Sequence, residues 1–155
     1  SCPMVEQCAG YASGDPHRFP VKQHKTKTRD RFFHYFFIKH NTNTYLHQRN
    51  GSDIWKGLFE LPMIETEMPA DLNVLQETSA FGKLFQKTGR LEFTLVADEI
   101  RHVLSHQTLH VTCYMVEVQQ ENAALKKMVR TSREAIDAYP FPKLIVNLLS
   151  KIEEK

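Results

Sequence analysis

The sequence predicts an α+β fold, a mixed β-sheet flanked by helices, and three observations carry that prediction. One stretch is dense in aromatic residues, as in a strand covered on both faces. Further strand-like stretches follow with helical ones inserted between them and no strand–helix–strand alternation. The C-terminal segment places its apolar residues on one helical stripe. The 155 residues suffice for one domain with a sizeable core, and 41% hydrophobic with 25% charged residues is a composition that folds.

Residues 9–24 contain two glycines and two prolines and show no apolar period, which marks a connector. Thr28 to Lys39 carries Phe32, Phe33, Tyr35, Phe36, Phe37 and Ile38 and reads as the first strand. Asn41-Thr42-Asn43 turns the chain into a second, Thr44 to Arg49. Polar residues 50–53 then lead to a third predicted strand, Ile54 to Pro62, closed by its proline. Leu72, Leu75 and Gln76 are spaced as on a short helix, and Phe81, Leu84 and Phe85 mark another that Gly89 ends. Leu91, Phe93, Leu95 and Ala97 alternate along a strand, and Leu109 to Val118 forms an antiparallel candidate beside it. Thr131-Ser132-Arg133-Glu134 has capping-box spacing for a short helix before Pro140. Pro142 opens the last helix, whose stripe is Leu144, Ile145, Leu148, Leu149 and Ile152.

No apolar run is long enough to cross a bilayer and nothing resembles a signal peptide, so the expectation is a soluble, intracellular chain with no membrane partner. Three cysteines, an odd number, argue against a secreted disulfide scaffold. Cys113 follows the apolar odd positions of 109–115 and reads as a small core side chain. The formal net charge is only +2, but Arg18, Lys22, Lys25, Lys27, Arg29 and Arg31 crowd one stretch against Asp15 and Asp30. A phosphate backbone suits that clustering, and a solvated linker would look the same.

Three stretches together resemble the C-terminal region of MutY-type adenine DNA glycosylases, over nearly the whole chain. The first is Cys2-Pro3 followed by Cys8, which matches the last step of a Cys-x6-Cys-x2-Cys-x5-Cys pattern that holds a four-iron, four-sulfur cluster. The resemblance implies that Cys2 and Cys8 are metal ligands in a longer parent, with no cluster in this fragment because two thiols cannot serve four irons. Two incidental thiols in a tail are the alternative. The second stretch is Gln48-Arg49 with Asp53 to Pro62, similar to the Gln-Arg and Trp-x-Gly-Leu signature of the MutY C-terminal domain, which has the Nudix fold of MutT. Here a structural role is expected: Trp55 and Leu58 as core, Gly57 where the backbone bends or approaches closely.

The third stretch is His102 to His110, which resembles the Phe-Ser-His recognition loop of the family, with Leu104 in place of the phenylalanine and Ser105 and His106 matching. That loop meets 8-oxoguanine opposite the adenine to be removed. The resemblance therefore implies lesion recognition by Leu104, Ser105 and His106, with double-stranded DNA holding an 8-oxoguanine:adenine pair as partner of a monomer in the bacterial cytoplasm, and the basic clustering adds expected backbone contacts from Lys22, Lys25, Lys27 and Arg29. An ordinary polar loop is the plainer reading. The fourfold spacing of His102, His106 and His110 would suit a helical metal face, but their neighbours read as strands. No catalytic residue is assigned, since the family's glutamate and aspartate belong to a domain expected before Ser1. A Nudix diphosphatase would need Gly-x5-Glu-x7-Arg-Glu-x2-Glu-Glu, and Asp71 to Thr78 supplies neither the arginine nor the Glu-Glu pair. A Nudix-fold protein-interaction module is the remaining alternative.

Overall fold

The computed structural model describes residues 3–18 and 28–154. Its elements in chain order are helix α1 (Ala9–Ala12), strands β1 (Arg29–Lys39), β2 (Asn43–Gln48), β3 (Phe59–Glu60) and β4 (Met63–Thr66), helices α2 (Leu72–Gln76) and α3 (Ser79–Phe85), strands β5 (Glu92–Val103), β6 (Gln107–Glu117) and β7 (Val129–Ser132), and helix α4 (Lys143–Glu153). Two sheets form, one of four strands in the order β4-β1-β6-β5 and one of three in the order β3-β2-β7. β1 and β6 run parallel, from Arg29 beside Gln107 to Lys39 beside Glu117, while β4 and β5 are antiparallel to their neighbours. The expected mixed sheet flanked by helices is therefore present.

Side-chain alternation along β1 divides the core in two. Phe33, Tyr35 and Phe37 join Leu109, Val111 and Cys113 under α4, whose Leu144, Ile145, Leu148 and Ile152 are all buried. Phe36 and Ile38 face the other way and meet Tyr114 and Val116 with Phe81, Leu84 and Phe85 of α3. Cys113 is fully buried, as its strand position predicts, and burial pushes its thiol up to about 12. Helices α2 and α3 begin on side-chain caps: Asp71 accepts from the Val74 amide and Thr78 from the Phe81 amide. Among the described residues no helix is long and apolar enough to cross a membrane.

Three elements differ from expectation. Residues 54–57, read as strand, form a turn in which Trp55 (φ 60°) and Gly57 (φ 82°) both adopt left-handed backbone, so pairing in that stretch is confined to Phe59–Glu60. Beyond Pro62, Met63–Thr66 adds the strand β4, unmarked by any sequence signal, to the edge of β1. Thr131 does not cap a helix. It is buried on β7 opposite Thr44, and a single 3-10 turn, Ile136–Ala138, follows. The backbone amide of Glu134 and then the Ser132 hydroxyl bond the Glu134 carboxylate and lower its pKa, and no side chain caps the 3-10 turn.

Candidate functional site

The segment connecting β5 to β6 is a tight tip. The Leu104 amide donates to the Gln107 carbonyl at 2.8 Å, and the Arg29 amide, at the start of β1, donates to the His106 carbonyl at 3.1 Å. Ser105 and His106 stand exposed at the summit, whereas Leu104 is half-buried and packs on the core under α4. Of the three residues singled out from sequence, two are thus presented outward and the third anchors the tip. Arg29 is exposed directly beside them, while Lys22, Lys25 and Lys27 lie outside the described residues.

Beneath the tip lies a cluster of charges. Arg31 is only 8% exposed. Its guanidinium donates to both carboxylate oxygens of Glu65 (2.6 and 2.7 Å), to both of Asp53 (2.9 and 2.8 Å) and to the Gln107 side-chain carbonyl (3.1 Å). Its carbon also sits 4.7 Å from the centre of the Phe33 ring. Glu65 first and Asp53 second hold the Arg31 pKa above its ordinary value. Asp53 is held down to about 2, chiefly by the Arg31 hydrogen bond. Arg31 is therefore committed to the interior and leaves the basic cluster in which the sequence placed it. The strand phase explains this: Arg31 shares the inward face of Phe33, Tyr35 and Phe37, and an inward arginine must find carboxylates.

A second arginine fixes the neighbouring turn. Arg49 donates through Nε to the Ile54 carbonyl (2.9 Å), through one terminal nitrogen to Asp53 (2.8 Å) and through the other to Glu60 (2.8 Å). Its backbone carbonyl accepts from the Gly57 amide at 2.7 Å, and the Gln48 side-chain amide donates to the Gly57 carbonyl at 3.1 Å. The Gln-Arg and Trp-x-Gly-Leu residues are therefore one device, a clasp around a turn that needs left-handed backbone at Gly57. That turn carries Trp55 onto the core, with its ring 6.0 Å from that of His102, two residues before Leu104. Sequence reading missed Arg31, Gln107 and the Trp55–His102 contact; only the first left a signal, in its strand phase.

His102, His106 and His110 do not converge, and among the described residues no group of three His, Cys, Asp or Glu side chains could hold a metal ion. His110 instead lies 2.8 Å from Asp30 and stacks on Phe32. Cys8 is exposed and free, next to α1, while Cys2 lies outside the described residues. A four-iron cluster requires four thiolates, so the pair Cys2 and Cys8 does not by itself fit one.

A family model described as NUDIX domain matches residues 34–151. Among solved structures, the C-terminal domain of mouse MUTYH, determined in complex with human PCNA, superposes with a TM-score of 0.61 at 15% identity, over 81% of this chain and 89% of that one. A NUDIX hydrolase from Nitrosomonas europaea gives 0.55 at 12% identity over 81% and 89%. The E. coli ORF135 protein gives 0.52 at 19% over 82% and 91%. At such identities the likeness concerns the fold.

Proposed function

The chain belongs to the NUDIX domain family, and from that premise we propose that it is the damage-recognition domain of an adenine DNA glycosylase, reading 8-oxoguanine opposite adenine through Ser105 and His106. The observation that carries this reading is the exposed, braced tip: Ser105 and His106 face solvent while Leu104, Arg29 and Gln107 fix the backbone beneath them. A recognition group gains from such bracing because little conformational freedom remains to be lost on binding.

The chemistry required is small. Guanine presents N7 as an acceptor, whereas 8-oxoguanine carries a proton there and a carbonyl at C8. A serine hydroxyl accepts from that N–H and still donates elsewhere, which no apolar side chain can do. Leu104, half-buried, contributes by anchoring the tip. Arg29 and the connector lysines Lys22, Lys25 and Lys27 would follow the phosphates, whereas Arg31 is already spent on Asp53 and Glu65. Excision itself belongs to a separate catalytic domain, which flips the adenine out.

Replacing Ser105 with alanine in the complete glycosylase tests the reading. One neutral hydrogen bond, at about 0.5–1.5 kcal/mol, converts to a roughly two- to tenfold loss of preference for 8-oxoguanine over guanine. An unchanged preference discards the role of the tip. Hydrolysis is the rival reading for a NUDIX domain, and it predicts magnesium-dependent cleavage of nucleoside triphosphates. Helices α2 and α3, with sequences LNVLQ and SAFGKLF, contain no carboxylate, so no such cleavage is expected in a phosphate-release assay.

A further inference from the structure

On the α2–α3 side of the four-stranded sheet, beyond the reach of those helices, an open cleft of about 790 Å³ runs across β1, β6 and β5. Its floor is aromatic. Phe32 stacks on His110 with ring centres 4.8 Å apart and planes 18° from parallel, and Tyr114 continues the surface. Tyr114 is only 8% exposed, and among the described residues its hydroxyl has no hydrogen-bond partner. Burial, then the charges of Asp98 and Asp71, raise its pKa, which places the phenol within the field of two carboxylates. Deeper in the wall is His34, 3% exposed. Its Nε2 bonds Thr66 Oγ1 at 3.0 Å, and its Nδ1 has no partner.

The acidic rim is built by a backbone irregularity. Successive side chains on a regular strand point to opposite faces, yet Asp98 and Glu99 both line this cleft. They can do so because the β5–β6 register breaks between Ala97 and Ile100, with Glu99 in left-handed backbone at φ 49°. Left-handed backbone at a non-glycine residue costs free energy and is tolerated where the surroundings hold it. With Asp30 and Asp71, four carboxylates face the single guanidinium of Arg101. Phosphates would be repelled from such a rim. Among the described residues no three ligands converge on a metal, so the negative charge is spread over the cleft mouth. Apolar Pro69 and Ala70 form one shoulder, next to Met68, which is 71% exposed.

We propose that this cleft docks a partner protein through an arginine or lysine side chain flanked by apolar residues. The cation would lie over the Tyr114 ring, between the carboxylates of Asp71 and Asp98, with a flanking apolar side chain on the Phe32 and His110 rings. Unpaired among the described residues, the Tyr114 hydroxyl supplies a polar partner in the cleft. Ser105, His106 and Arg29 do not line this cleft, so the inference stands independently of the DNA reading.

An amide-detected NMR titration at low salt decides it, with a capped Ser-Leu-Arg-Leu-Ser pentapeptide as probe and its glutamine counterpart as control. Saturable shifts are expected at Phe32, Thr112 and Tyr114 with the arginine peptide, at roughly tenfold tighter affinity than with glutamine. Asp98→Asn should weaken binding by a similar factor, and Tyr114→Phe by roughly two- to tenfold. Both variants should keep the native spectrum, because Asp98 makes only a 3.5 Å contact to the Thr112 hydroxyl and Tyr114→Phe retains the ring. Equal affinity for the two peptides, absence of saturation, or undiminished binding by Asp98→Asn overturns the proposal.

Discussion

Replacing Arg49 with methionine is expected to destabilise the fold by about 3–5 kcal/mol, the cost of removing one partner from a buried ion pair. Glu60 is 3% exposed, and its charge is met by Arg49 at 2.8 Å, by the Tyr35 hydroxyl donating at 3.1 Å and by His47 at 3.3 Å. Without the guanidinium a carboxylate is left in the core with one neutral donor and a half-exposed imidazole. The same substitution frees the Ile54 carbonyl and opens the clasp around Trp55. Since Trp55 is the chain's sole tryptophan, native-state fluorescence should shift to the red as its turn loosens. In urea the midpoint should fall without a change in slope. Adding Glu60→Gln should recover part of the loss, because the unpaired charge disappears with its partner. A cost below about 1 kcal/mol would mean that the pair is better solvated than its burial indicates.

Phe36→Ala is the second large effect, at about 3–5 kcal/mol. Phe36 is fully buried, with ring centres of Phe85, Tyr114, Phe81 and Phe93 at 5.2, 5.8, 6.2 and 6.3 Å. Three of the four are edge-on, the arrangement that the ring quadrupoles favour, and truncation leaves a cavity which two short helices cannot close. Helices of five and seven residues have little stability of their own. Amide exchange should therefore accelerate most in α2 and α3, while α4, packed on the opposite face, keeps protection close to the new global limit. Uniform acceleration confined to neither helix would show that the two faces of the sheet unfold as one unit.

Long, strongly patterned elements were legible in the sequence: the aromatic β1, the apolar stripe of α4 and the alternation of β6 all hold. Legibility failed where backbone conformation is decided by distant partners. Nothing local in Ile54-Trp55-Lys56-Gly57 announces that Arg49 will bond the Ile54 carbonyl and the Gly57 amide into a turn, and hydrophobic content alone imitates a strand. β4 was hidden for a related reason, since Met63–Thr66 is strand chiefly because β1 offers it an edge. Thr131 has capping spacing, yet pairing with Thr44 wins. At the candidate site, Ser105 and His106 were found by resemblance, and their exposure followed from the fold. The anchoring of Leu104 and the roles of Arg31 and Gln107 required three dimensions. Arg31 shows the general limit: charge counts see a cation, and only strand phase shows that it points inward.

Side-chain and amide shift mapping of this chain against two otherwise identical duplexes, one with 8-oxoguanine opposite adenine and one with guanine, addresses the recognition claim at its source. The two titrations should diverge at Ser105 and His106 and coincide elsewhere, at Arg29 included, because phosphate contacts are common to both duplexes. Identical responses at Ser105 and His106, or a difference confined to another face of the domain, would contradict it.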